Sequence, residues 1–212
     1  MKIHLAILFF LGTTIYGFSQ IKARPGVNYE HAFDYSHKKL YKDIHHLALK
    51  ITAQESTKEH KVKAIYLWLV KHIAYDYELR SNRSLQKAFY ISEEHVVEKV
   101  LERKKALCGG VAFLFERLCF AIGVEAETVH GYTDATKDFT KPNHSWNVVK
   151  LYNKWNVLDI TWSQNESNLN QPDLYWYQTE PKEFVKTHYP LDKKWTLLSN
   201  PPKINDFIMS LP

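Results

Sequence analysis

The chain has 212 residues, 28 Lys and Arg against 23 Asp and Glu, a formal net charge of +5 and 14% aromatic side chains. That aromatic content supports a packed body rather than disorder. The mild charge forms no dense Lys/Arg cluster and no basic–aromatic interleave, so nucleic acid is excluded as the expected partner. Two cysteines are too few for the disulfide framework of a small secreted scaffold.

The amino terminus reads as an export signal. Lys2 gives a short positive region, Leu5 to Leu11 is an unbroken apolar run, and Gly17-Phe18-Ser19 supplies the small residues that a signal peptidase reads. Cleavage near Ser19/Gln20 would send the protein to the periplasm or outside the cell. The apolar run is shorter than the roughly 20 residues a span requires, and Gly12-Thr13-Thr14 interrupts it. No stable membrane span is therefore expected, while the mild positive charge is compatible with contact at an anionic envelope surface. The remaining ~190 residues suit one domain with a sizeable core.

Residues 20–36 read as an irregular arm broken at Pro25-Gly26. From 37 to 54, Leu40, Ile44, Leu47, Ala48 and Ile51 recur at helical spacing. Ser56 with Glu59 predicts a capping box that opens a helix carrying Val62, Ile65, Tyr66, Leu69, Val70 and Ile73 and ending near Asp76. Residues 77–91 are polar and mixed and read as a loop. Ser92 starts a helix with Val96, Val97, Val100 and Leu101. A further helix runs from Cys108 to about Ile122, stops at Gly123, and buries Val111, Phe115, Leu118, Cys119 and Ile122 as a central element. If both cysteines lie on it, about 11 residues at 1.5 Å each separate them too far for a disulfide, whose Cα atoms sit within roughly 7 Å. Cys119 reads as a core residue.

After Gly123 the period becomes two. Strands are expected at 125–132, 144–151 and 154–161, with a short helix at Pro181–Lys186. Helices first and strands second predict an α+β fold with an antiparallel sheet. The expected organisation is a signal at 1–19, an arm and helix at 20–57, a catalytic core at 58–163 and a packing extension at 164–212.

Three residues carry the chemistry. Cys108 begins a helix, where the N-terminal dipole favours a thiolate, and Gly109-Gly110 beside it would let a substrate backbone approach. Its own N–H would face a developing oxyanion. His144 follows 36 positions later and Asp159 another 15 positions on, the nucleophile, base and orienting carboxylate of an acyl-transfer site. A two-residue turn at Tyr152-Asn153 makes paired positions sum to 305, which sets Asp159 opposite Trp146, on the face of His144 and diagonal to it. A three-residue loop would send Asp159 to the other face. Asn153 tolerates the positive φ such a turn needs. Trp146, Trp155 and Trp162 are expected to wall this hairpin rather than hold a ligand. The histidines form no His-Glu-x-x-His or Cys-x-x-Cys pattern, so no metal is expected.

The segments Leu107-Cys108-Gly109-Gly110-Val111-Ala112-Phe113-Leu114, Asn143-His144-Ser145-Trp146-Asn147 and Trp155-Asn156-Val157-Leu158-Asp159-Ile160-Thr161-Trp162 resemble, in order and spacing, the transglutaminase-like superfamily. The resemblance covers roughly 58–198 and is strongest over 105–163. It implies a papain-like α+β sandwich with Cys108, His144 and Asp159 as the triad and no cofactor. His72-Ile73-Ala74-Tyr75-Asp76 resembles the family's Ile-x-Tyr-Asp segment and makes Tyr75 a candidate for the oxyanion hole. The run His188-Tyr189-Pro190, with Lys194-Trp195-Thr196-Leu197-Leu198, is similar to the tail of bacterial kyphoscoliosis-peptidase-like members. The expectation is an exported cysteine enzyme that forms a thioester with peptide or glutamine amides and hydrolyses it. The alternatives are a crosslinking transglutaminase and a non-catalytic envelope scaffold or binding module. Asp134 and Asp138 are the nearest acidic residues that could recruit a lysine.

Overall fold

In the computed structural model of the protein, residues 37–134, 139–164 and 171–211 are described. The expected signal at 1–19, the arm at 20–36 and Asp138 lie outside them. Helices α1 (Lys38–Ile51) and α2 (Lys58–His72) lead into a short strand β1 (Ala74–Tyr75), then α3 (Tyr77–Ser81), α4 (Arg83–Phe89), α5 (Glu93–Arg103), β2 (Lys105–Ala106) and α6 (Cys108–Ala121). Strands β3 (Ala126–Tyr132), β4 (His144–Leu151) and β5 (Lys154–Leu158) follow, then β6 (Tyr177–Thr179), α7 (Pro181–Phe184), β7 (Tyr189–Pro190) and α8 (Ile204–Ser210). This is a mixed fold, with an antiparallel five-stranded sheet in the order β6-β5-β4-β3-β7.

Helix α6 is the centre. It packs on α1, α2 and α5 on one side and on β3 and β4 on the other, and Val111, Leu114, Phe115, Leu118 and Cys119 are buried. The sequence accounts for this: a run of apolar residues on almost every face suits a helix covered all round. Gly110 is small for packing rather than for substrate approach, since a Cβ there would stand 2.9 Å from Val100 Cγ2 and 3.0 Å from Ala106 Cβ. At the far end Gly123 takes φ +69° and turns the chain into the sheet.

Three local expectations are corrected. Residues 77–91 are not a loop but hold α3 and α4, each started by an Asx cap: Asp76 accepts the Leu79 N–H at 2.9 Å and Asn82 accepts the Leu85 N–H at 3.0 Å. Each helix buries one large residue, Leu79 or Phe89, too few to leave a period. The cap of α2 is Thr57, whose side chain accepts the His60 N–H, rather than Ser56, and the helix ends at His72 rather than near Asp76. The third strand stops at Leu158, short of 161, and frees Asp159 from the ladder.

The β4–β5 hairpin closes as the turn chemistry requires. Tyr152 and Asn153 both adopt positive φ, 48° and 62°, the geometry of a type I′ turn. Leu151 pairs with Lys154 and Asn147 with Leu158, so every pair sums to 305.

Strands β1 and β2 form a separate two-stranded parallel ladder, with Tyr75 beside Ala106. The buried Asp76 carboxylate locks this ladder through Arg103 Nη2 at 2.7 Å and Lys105 Nζ at 3.6 Å. Burial alone would raise that carboxyl; the Leu79 N–H and Arg103 outweigh it and hold it below the usual range. The strand pair therefore fixes the segment that enters Cys108.

Candidate active site

Cys108 is the first residue of α6 and is part-exposed; Cys119, three turns on, is buried, and both thiols are free. His144 opens β4, the central strand of the sheet. Asn147, three residues along and on the opposite face of the strand, anchors the two elements: its amide donates to the Ala112 carbonyl of α6 at 3.0 Å. The His144 ring acts on the Cys108 thiol on one side and, through Nε2, bonds Asp159 Oδ2 at 2.5 Å on the other. Nε2 being taken, Nδ1 is the nitrogen left for sulfur. Asp159 is fully buried. Its Oδ1 accepts the Trp162 N–H at 2.9 Å, and its own N–H donates to the Trp176 carbonyl at 2.9 Å.

The electrostatics follow from this line. Burial pushes the Cys108 thiol up, but the His144 charge and hydrogen bond, with the Ser145 backbone N–H, pull it below its ordinary value. Burial opposes a charged His144; Asp159 and the thiolate outweigh it and raise the imidazole's proton affinity. Asp159, desolvated yet held by both imidazole partners, stays well below the carboxylate range. The site therefore holds a thiolate–imidazolium pair backed by a carboxylate.

A pH consequence can be worked out. Between about pH 6.5 and 8.5 the unfolded chain keeps its proton on sulfur and has a neutral imidazole. The folded site carries the same proton on His144, so the pair adds no slope to stability in that window. Cys108→Ala removes the sulfur's proton from the unfolded count, while Asp159 still raises the affinity of His144. The folded variant then binds more protons than the unfolded one, and its stability falls as pH rises. The melting temperature of Cys108→Ala is expected to drop relative to wild type between pH 6.5 and 8.5. A constant difference would show that the pair is not ionised.

Tyr75 lies in β1 next to the segment entering Cys108. Its ring meets Tyr77 at 5.0 Å between centroids and its hydroxyl accepts from Arg80 Nη1 at 3.2 Å. A second phenol, missed in the sequence, stands at the helix entrance: a Cβ on Gly109 would lie 3.9 Å from the Tyr90 hydroxyl. Burial and then the charge of Cys108 raise the Tyr90 phenol, so it stays protonated. Of the three tryptophans, Trp146 is buried, Trp162 packs on the His144 ring at 5.7 Å, and Trp155 sits away from them against Trp195.

Sequence reasoning also missed His188. Its Nε2 lies 3.1 Å from Asp159 Oδ2, the oxygen that holds His144. One signal existed, the similarity of the His188-Tyr189-Pro190 run to a family tail, but nothing tied it to Asp159. Donor atoms of His144, Asp159 and His188 lie within 4.8 Å of one another, a spacing that a metal ion could use. All three are instead committed to mutual hydrogen bonds.

A thiol at a helix entrance, coupled to an imidazole that is hydrogen-bonded to a buried carboxylate, defines the site of a cysteine acyl-transfer enzyme. The chain belongs to the transglutaminase-like superfamily, whose profile matches residues 45–160. It is 31% identical to the mouse (Mus musculus) kyphoscoliosis peptidase over 163 residues, covering 71% of this chain and 24% of that protein. The human (Homo sapiens) kyphoscoliosis peptidase is 30% identical over 159 residues, with 69% and 23% covered. The chain thus spans about a quarter of the length of these curated relatives. A crystal structure described as a TGase is 24% identical and aligns over 75% of this chain and 38% of its own, at a TM-score of 0.46.

Proposed function

We propose that the protein is an exported cysteine amidase or peptidase that cleaves peptide or glutamine amides through a thioester. The observation that carries this reading is the His144 ring, hydrogen-bonded to the buried Asp159 at 2.5 Å and acting on the Cys108 thiol at the start of α6. The Cys108 thiolate attacks the amide carbonyl, and the backbone N–H of Cys108 with a phenol, Tyr75 as the sequence suggests, receives the oxyanion. The carbon–nitrogen bond breaks as His144 Nδ1–H delivers its proton to the departing nitrogen. Water then attacks the thioester, gives a proton back to His144, and releases the acid and the thiolate. Export rests on the composition of residues 1–19 alone; amino-terminal sequencing of the secreted protein tests it.

Water wins the second step by abundance, about 55 M against millimolar amine, unless a site binds and orients the amine. Hydrolysis is therefore expected to dominate. Mass spectrometry of a glutamine-containing peptide, incubated with the mature protein and a primary amine, should show deamidated or cleaved products. A majority of amine adducts would replace hydrolysis by crosslinking, and no product from any peptide library would favour a binding module.

A further inference from the structure

Asp159 is clasped by a second imidazole that the chemistry above leaves without a task. His188 is 1% exposed. Phe184 stacks on it at 4.2 Å, Trp162 lies at 4.3 Å, Trp146 at 5.2 Å and Trp176 at 5.3 Å. These rings offer no charge and no hydrogen-bond acceptor, so the two ring nitrogens depend on two polar partners. Nε2 meets Asp159 Oδ2 at 3.1 Å and Nδ1 meets the Thr187 hydroxyl at 2.8 Å.

That arrangement fixes the tautomer. An ionised carboxylate can only accept, so Nε2 carries the hydrogen. A neutral ring must then accept at Nδ1, and the Thr187 hydroxyl gives its one proton there, at 2.8 Å, in preference to the Phe184 carbonyl at 3.3 Å. The charged and titratable groups that act on the ring are Asp159, His144 and, at longer range, Asp134. Burial, the largest influence, keeps the ring neutral against the pull of Asp159, and the imidazolium of His144 adds to it.

From this geometry we propose that His188, held as its Nε2–H tautomer by Thr187, is a positioning residue that pins Asp159 Oδ2 against His144. The inference rests on the acyl-transfer reading above. Oδ2 is the one atom shared by the two imidazoles, while Oδ1 is tied to the Trp162 N–H. With His188 in place, the carboxylate has a donor on each side and cannot swing away from His144. The residue reaches the site because β7 pairs with β3 next to Gly131. A Cβ on Gly131 would stand 2.3 Å from the Tyr189 carbonyl oxygen, so the glycine is what admits the strand that carries His188.

The test compares His188→Phe, which fills the aromatic cage without a donor, with His188→Gln, whose amide nitrogen can stand where Nε2 stands. Two readouts are taken on the full chain, kcat and KM on a cleaved peptide and the pH dependence of kcat/KM. Phe should lower kcat at least about tenfold with KM unchanged and move the alkaline limb of the profile, where His144 loses its proton, down by roughly one pH unit, because a loosened carboxylate holds the imidazolium less well. Gln should restore both. If His188→Phe folds and keeps kcat and the limb, or if Gln fails to restore either, the proposal is overturned and the role is packing. If His188→Phe does not fold, Thr187→Val decides: it should move the limb in the same direction by a smaller amount, and an unmoved limb overturns the proposal. The parent reading fails separately, through a wild-type protein whose Cys108 alkylates no faster than Cys119 and turns over nothing.

Discussion

Cys108→Ala is expected to abolish turnover, a fall on the order of a millionfold, the scale seen when the nucleophile of an acyl-transfer triad is removed. His144→Ala should do the same, and the double variant should be no worse than either single one. The reason is in the connections. His144 has no proton to move without the thiol, and the thiol owes its depressed pKa chiefly to the charged His144 beside it. Peptide turnover measured alongside circular-dichroism melts separates this from unfolding. Cys108 is part-exposed at the helix entrance, so its loss opens no core cavity and the variant should stay folded. Additive losses in the double variant would mean the two residues act apart, and full activity of a folded Cys108→Ala would favour the scaffold reading.

Asp159→Asn is expected to lower kcat by about 10⁴-fold and also to destabilise the fold by about 1–3 kcal/mol. Both effects come from counting donors. Oδ1 receives the Trp162 N–H, and Oδ2 receives both His144 and His188, so every partner of the carboxylate donates. Asparagine has one acceptor and one NH₂. With its oxygen toward the histidines, the NH₂ meets the Trp162 N–H. In the flipped orientation the NH₂ meets two ring nitrogens, and His144 must turn to the wrong tautomer. Either way a buried donor is left facing a donor. Steady-state kinetics with chemical denaturation checks the pair of effects. A variant that keeps more than about a tenth of the rate would remove Asp159 from the mechanism.

Much of the site was legible because its signals are local. Cys108 is announced by the glycines and the apolar helix that follow it. The register of the hairpin is fixed by two turn residues and a period of two, so the diagonal placement of Asp159 could be read by arithmetic and agrees with the Asn147–Leu158 pairing. His188 could not be read that way. Its partner is 29 positions back, and its cage is assembled from Trp146, Trp162, Trp176 and Phe184, which no periodicity links. Helices α3 and α4 were lost for a different reason: Asp76 and Asn82 each signal a loop as well as a cap, and only packing decides between them. At α2, Ser56 and Thr57 are both competent caps, and the choice turns on a single hydrogen bond.

The order in which these parts arrive along the chain has a consequence for biogenesis. As the polypeptide is made from its amino terminus, the thiol at the mouth of α6 emerges with the helical half, well before the hairpin that carries His144 and Asp159. The residues that surround the carboxylate, Trp176, Phe184 and His188, arrive later still. Until the hairpin is in place Cys108 is an ordinary thiol, mostly protonated near neutral pH. A chain broken off before the hairpin is thus chemically quiet, and reactivity switches on when His144 docks beside Cys108. The fold itself ties reactivity to completion of the sheet: the unfinished state is its own inhibitor.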